Sequence, residues 1–388
     1  MREAGRRVPG AAAPPSPRVG MVCATRTSDD GILDYAQNLG TALATLHGLD
    51  VDIVVQARNG WSMRRLGPGR HAQRRARSLD EALAHVDALI LHYNPFSWGP
   101  RGFAPYLVPM LGRLRRRRPR VVVGILAHER YVDMHGMRWT MMGGWQRVQF
   151  LAILQFADVA WSSIETWTES LRAQTRARAA QIPICSNLPD RRGARLPARA
   201  RLGIDGATLV VAAFGTDHPS RLIGHIEGAV DAIAGSGRSV TLLNLGAGAP
   251  RVTVHAAGVR VVAPGRLHAS AVAEHMAAAD LYLAPFVDGV SARRTTLMAA
   301  LQHGLPVVGT DGPLTDTVLR DAHQALLLAP STDRAAFVAA ARDLASDGDQ
   351  RARRGAAARR LYEARFDWPV ACRVALSGLA GSGDRRRA

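Results

Sequence analysis

Residues 281–310, LYLAPFVDGVSARRTTLMAALQHGLPVVGT, bring together groups suited to holding an anion. An apolar run ends at Ala284, a loop with Asp288 and Gly289 follows, and a helix is expected over residues 293–302, stopped by Gly304. Arg293, Arg294, Thr295 and Thr296 open that helix. Backbone N–H groups, a helix dipole, hydroxyls and guanidinium groups converge there, as a diphosphate requires. Asp288, the one carboxylate of the stretch, is placed to accept hydrogen bonds from sugar hydroxyls. The same residues also read as an ordinary strand–loop–helix connection whose arginines face solvent. All 50 basic residues of the chain are Arg; Lys is absent. This excludes Schiff-base chemistry, a covalent pyridoxal phosphate and the phosphate loop of NTPases, each of which needs a primary amine. Any bound anion must be held by Arg, backbone N–H groups or helix N-termini.

The elements around this stretch alternate. Strands are expected at residues 18–24, 51–55, 86–92, 121–126 and 159–162, with helices over 32–46 and 146–157. Residues 183–200 (PICSNLPDRRGARLPARA) lack sustained periodicity and read as a linker. The pattern then restarts: strands at 208–214, 240–245, 259–262, 281–284 and 307–309, with helices at 221–233, 334–344 and 351–365. Such alternation argues for parallel, doubly wound sheets. At 388 residues the chain exceeds one core, so two α/β domains around a cleft are expected, with ligands at the carboxyl ends of the strands.

The formal net charge of +18 is uneven. Residues 1–190 hold 25 Arg against 15 acidic residues, whereas 201–346 hold 11 against 12. Arginines cluster at 64–77 and 113–120. Such runs are most often solvated helix ends, which is the reading adopted; the alternative is a patch for a membrane surface or a phosphorylated acceptor. No zinc-finger, RNA-recognition or helix-turn-helix signature accompanies the charge, so nucleic acid is not an expected partner. Residues 1–17 read as a disordered Pro/Ala/Arg leader without an apolar signal core. No apolar run is long enough to span a membrane, and three scattered cysteines (Cys23, Cys185, Cys372) suit a reducing cytoplasm. Trp139, Trp145, Trp161 and Trp167 are read as packing residues.

The segment with Pro285, Asp288–Gly289 and the Gly304–Leu305–Pro306–Val307 step resembles the donor site of retaining GT-B glycosyltransferases, the family 4 group also described as glycosyl transferases group 1. Asp288 matches the first Glu of that family's paired signature. The second would fall on Ala299 or Thr296, neither acidic, so the DGVSARRTTL stretch is a variant. Residues 210–222 (VVAAFGTDHPSRL) resemble the strand, Gly and basic pair that bind the donor diphosphate, with Gly215 and Arg221 matching and the Lys missing. His218 and Ser220 are polar candidates beside them. Gly246 in LLNLGAG and Arg266–Leu267 in PGRL resemble the loops framing the nucleotide base. Gly31 matches the Gly that opens the first helix. His128 matches the His that packs against the donor sugar, with Glu129 beside it. Tyr93 and Asn94, after the third strand, fall where acceptor residues would sit.

The resemblance implies the GT-B fold, two Rossmann-like doubly wound domains facing across a cleft. Its divisions are a leader (1–17), an acceptor domain (18–190), a linker (191–206), a nucleotide-sugar domain (207–364) and a C-terminal helix crossing back with a basic tail (365–388). It also implies sugar transfer from a nucleotide sugar to a hydroxyl with retention. Arg221, Arg294 and the backbone of Gly289, Val290 and Ser291 would stabilise the leaving diphosphate, with Arg293 the alternate. Asp288 would hold sugar hydroxyls and His128 would contact the reacting sugar. No metal and no cofactor beyond the nucleotide-sugar substrate is expected. The acceptor is a small molecule, such as an aminocyclitol, or a lipid-linked saccharide met at the membrane periphery. The alternatives are a nucleotide-sugar epimerase on the same fold and a sugar-nucleotide-binding protein with a decayed donor site.

Overall fold

The computed structural model describes residues 17–26, 31–57, 60–67, 70–134, 136–191 and 193–383. The expected leader, apart from Pro17, lies outside the described residues, as do residues 27–30 and the end of the basic tail.

The first sheet comprises β1 (Arg18–Ala24), β2 (Asp50–Ala57), β3 (Gly60–Gly67), β4 (Arg70–Ala76), β5 (Ala88–Tyr93), β6 (Val122–Ala127), β7 (Val159–Ser162) and β8 (Arg178–Gln181). Their order is β4-β3-β2-β1-β5-β6-β7-β8. The second comprises β9 (Leu209–Phe214), β10 (Val240–Leu245), β11 (Val259–Val262), β12 (Leu281–Ala284), β13 (Val307–Asp311) and β14 (Leu326–Pro330), ordered β11-β10-β9-β12-β13-β14. Strands such as β5, β6 and β10 are buried at every position, which is why they read as unbroken apolar runs: helices cover both faces. Two apolar clusters serve each sheet, one per face.

β3 and β4 depart from the sequence expectation. They pair antiparallel with β2 and with each other, so the first sheet is not wholly parallel. The Arg64–Arg77 cluster therefore lies mostly on an edge hairpin rather than a helix end. Met63 and Leu66 point inward, while Arg65 reaches back to Asp52 at 2.8 Å. Charge along an edge discourages pairing with another sheet. The second cluster does end a helix, Leu107–Arg117, where cations meet the negative end of the dipole. Arg115 there bonds Val121 O and Asp158, a packing role.

The segment expected to be an irregular linker holds a helix, Arg195–Arg201, anchored by buried Arg199 on Asp280. The domains are tied by Asp316. Its Oδ1 accepts from Glu165 N (2.7 Å) and Gln181 Nε2 (3.0 Å), and its Oδ2 from Ala292 N (2.7 Å). The last helix, Trp368–Gly383, returns to the first domain and buries Ala371, Cys372, Ala375 and Leu379 beside Trp161 and Ile184.

Candidate functional site

A cleft of about 760 Å³ opens between the two domains, lined by residues that follow β1, β5, β6 and β7 on one side and β9, β10 and β12 on the other. Every one of these strands presents its carboxyl end, as doubly wound sheets do toward a ligand.

The second-domain wall is cationic. Arg221 is buried at the end of the connection after β9, two residues before the helix Ile223–Ala234, and its guanidinium donates to Gly215 O at 3.0 Å. Arg293 and Arg294 line the cleft just ahead of the helix Thr295–Gln302, with Thr295 and Thr296 beside them. Burial pulls Arg294 down to about 10 and lowers Arg221, the mark of charges held out of water. Two of the cleft arginines lie over rings: Arg294 is 3.6 Å from the Phe286 centroid and Arg293 is 5.2 Å from that of Trp167. Trp167 also carries Arg130, so it does more than pack.

Gly215 is required by its φ of +147° and Gly246 by close approach as well. Gly246 has φ +130°, and a Cβ there would stand 2.4 Å from Gly215 O. Both glycines line the cleft.

Among the described residues, the first-domain wall carries one cation, Arg26, and one carboxylate, Glu129, beside otherwise uncharged groups. Gly31 opens the helix Gly31–His47, and Tyr35, one turn on, also reaches the cleft. Asn94 lines the cleft while its Oδ1 caps the short helix Pro95–Trp98 through Phe96 N at 2.9 Å. His128 sits between Tyr35 and His92, its Nε2 3.0 Å from His92 Nδ1. Burial pulls His128 down to about 3, so it is neutral near pH 7. Glu129 faces Arg293 across the cleft at 3.7 Å; burial raises its pKa while Arg293 pulls it back.

Several sequence expectations are corrected. Tyr93 is fully buried, stacked on Phe150, with its hydroxyl accepting from Gln149 Nε2 at 3.1 Å; it does not face the cleft. Asp288 does not line the cleft: Arg293 takes Oδ2 at 2.7 Å and Arg294 takes Oδ1, so the carboxylate orients the arginines instead of presenting free oxygens. Nor is the 289–291 backbone the anion cradle. Gly289 N bonds Phe286 O, Val290 N bonds Thr310 O, and Val290 and Ser291 are fully buried. The helix that starts at Thr295 lies one turn later. Arg266 and Leu267 lie outside the cleft lining. Tyr35, His92, Ser163 and Arg26 were missed. Tyr35 had a signal, lying four residues after Gly31 on the same helix face.

Sucrose-phosphate synthase from Thermosynechococcus elongatus superposes with a TM-score of 0.64 at 17% identity, over 93% of this chain and 98% of that one. WaaG, a glycosyltransferase involved in lipopolysaccharide biosynthesis, gives 0.61 at 16%, over 94% and 100%. HepE of Anabaena, in complex with UDP and glucose, gives 0.59 at 14%, over 94% and 99%. The chain has the GT-B fold. Residues 211–347 match the family model described as Glycosyl transferases group 1. No curated protein matches the sequence. That domain, on that fold, supports a glycosyltransferase enzyme. Among the described residues no cluster of three metal-ligating side chains occurs, and no helix is long and apolar enough to cross a membrane.

Proposed function

We propose that the protein transfers a sugar from a nucleoside-diphosphate donor to a hydroxyl acceptor with retention of configuration. The observation that carries this is the convergence of Arg221, Arg293 and Arg294 with the start of the helix Thr295–Gln302 on one wall of an interdomain cleft. The likeness to HepE, which binds UDP and glucose, supports the same reading. The glycosidic C–O bond to the diphosphate breaks while the acceptor oxygen bonds to the same face, and the acceptor proton passes to a diphosphate oxygen. The chain positions the donor and offsets the leaving charge, so guanidinium groups serve without a protein nucleophile or a metal. An epimerase needs acid and base groups in the cleft; Glu129 is the one carboxylate lining it among the described residues, and it faces Arg293. Incubation with a panel of nucleotide sugars and acceptors, in chelator, tests the reading. Acceptor-dependent nucleoside diphosphate release with a retained anomer is expected. Saturable donor binding without turnover across a broad panel would overturn it.

For the acceptor, the first domain favours a lipid-borne saccharide at an anionic membrane surface. The helix Gly136–Leu154 is exposed on every face of its first turns. Met137 (84% exposed), Met141 and Val148 share one stripe at i, i+4 and i+11, with Trp139 and Phe103 also exposed. Exposed Arg101, Arg138 and Arg147 surround them, and no acidic residue occurs between Asp133 and Asp158. Apolar and aromatic tips amid arginines suit an anionic lipid interface, whereas two copies of this face would repel. Residues 130–135 connect it directly to cleft-lining Glu129. Co-sedimentation with phosphatidylglycerol vesicles, lost in Met137→Ser/Met141→Ser and absent with phosphatidylcholine, is expected; equal binding of wild type and variant would rule out this stripe as the contact, and no binding by the wild type would point to a soluble acceptor.

A further inference from the structure

His92, at the end of β5, is fully buried and stacks on His128 with ring centroids 5.3 Å apart and planes at 18°. Its Nδ1 is 3.0 Å from His128 Nε2, while its own Nε2 is buried without a partner. One proton lies between the two rings, and two arrangements are open. If His128 Nε2–H donates, neutral His92 must carry its proton on Nε2, leaving a buried N–H with no acceptor. If His92 Nδ1–H donates, the orphan is a bare ring nitrogen. Buried N–H groups without acceptors are the rarer and costlier defect, which selects the second arrangement. Both rings are kept neutral by burial. His128, accepting on Nε2, then holds its proton on Nδ1, the ring nitrogen left for a ligand. The Tyr35 ring, edge-on to His128 at 5.4 Å, fixes the other side of the ring, and Trp98 Nε1 fixes the His92 backbone by donating to its carbonyl at 3.0 Å.

We propose that His92 is a positioning residue that sets the tautomer of His128, making His128 an Nδ1–H donor toward an oxygen of the bound sugar nucleotide. What His128 contacts rests on the transferase reading; the tautomer itself does not.

Long-range ¹H–¹⁵N correlation spectra of the ligand-free full chain read the tautomer directly, with His128 assigned from the signals lost in His128→Gln. Protonation on Nδ1 is expected, and protonation on Nε2 overturns the proposal. In kinetics, His92→Asn places an amide N–H where Nδ1–H stood and should keep kcat, whereas His92→Phe fills the space without a donor and should lower kcat roughly tenfold, the cost of one lost hydrogen bond. Equal kcat for the two variants, each with a wild-type unfolding midpoint, also overturns it. If the Phe variant does not fold, the wild-type spectrum still decides. Absence of turnover in every form would sink the transferase reading and leave the tautomer result standing.

Discussion

The two walls of the cleft invert the charge distribution of the two domains. The first domain holds most of the surplus arginines, yet its wall presents only one of them among the described residues, Arg26, beside neutral His128, Asn94 and the Glu129 carboxylate. The middle of the second domain is near neutral overall, yet three guanidinium groups meet at its wall. In the proposed reading, anion binding follows from concentrating and desolvating a few charges over ring faces and a helix start, not from the charge count. The surplus elsewhere covers a sheet edge, ends a helix and surrounds an exposed apolar stripe.

The largest effect expected from this contrast is at Arg294. Arg294→Ala should weaken nucleoside diphosphate binding roughly a hundredfold by calorimetry, the scale of a lost charge-assisted contact. Asp288→Asn, made alongside, separates loss of the cation from the unpaired carboxylate it leaves behind; unchanged affinity in Arg294→Ala would refute the cationic wall. The walls also need a common register. Asp316→Ala strands three donors and should cost about 2 kcal/mol in urea unfolding, with weaker donor binding. No loss of stability would mean the walls are set by other contacts.

The neutral wall has a pH signature. His128 titrates at about 3 in the folded chain against an ordinary 6.5. The unfolded chain therefore takes up the proton first as pH falls, and the stability from this group is complete above pH 6.5 and lost progressively below it. His128→Gln should flatten the fall in stability between about pH 7 and about pH 5; an unaltered slope would show that His128 is charged. The smallest effect is at the surface. Arg117 pairs with Asp80 in the open, and Arg117→Ala should leave donor affinity within about twofold and stability within about 0.5 kcal/mol. A large drop in affinity there would return the anion site to the basic half.

Ten of the strands, the two α/β halves and the arginines at the start of Thr295–Gln302 were legible because apolar runs, glycine stops and helix-start chemistry are local signals. The face of β5 was not. A strand buried on both sides shows no alternation, so parity at its end is invisible, and Tyr93 was named although it points into a core and its neighbour His92 meets His128. The role of Asp288 was hidden for another reason. Whether it faces a ligand or its own Arg293 and Arg294, five and six residues on, depends on how the loop folds back. The β3–β4 hairpin escaped because its arginine-rich strands look like a polar surface segment.

The return of Trp368–Gly383 to the first domain affects the order in which the protein can be made. Trp161 and Ile184 are synthesised early, but Ala371, Cys372, Ala375 and Leu379, which complete their packing, leave the ribosome nearly two hundred residues later. The second domain, whose sheet is contiguous in the chain, has all its strands once residue 330 has emerged. Domains usually fold in the order they are synthesised. Here the domain begun first is finished last, and until then an apolar face of its sheet must wait uncovered.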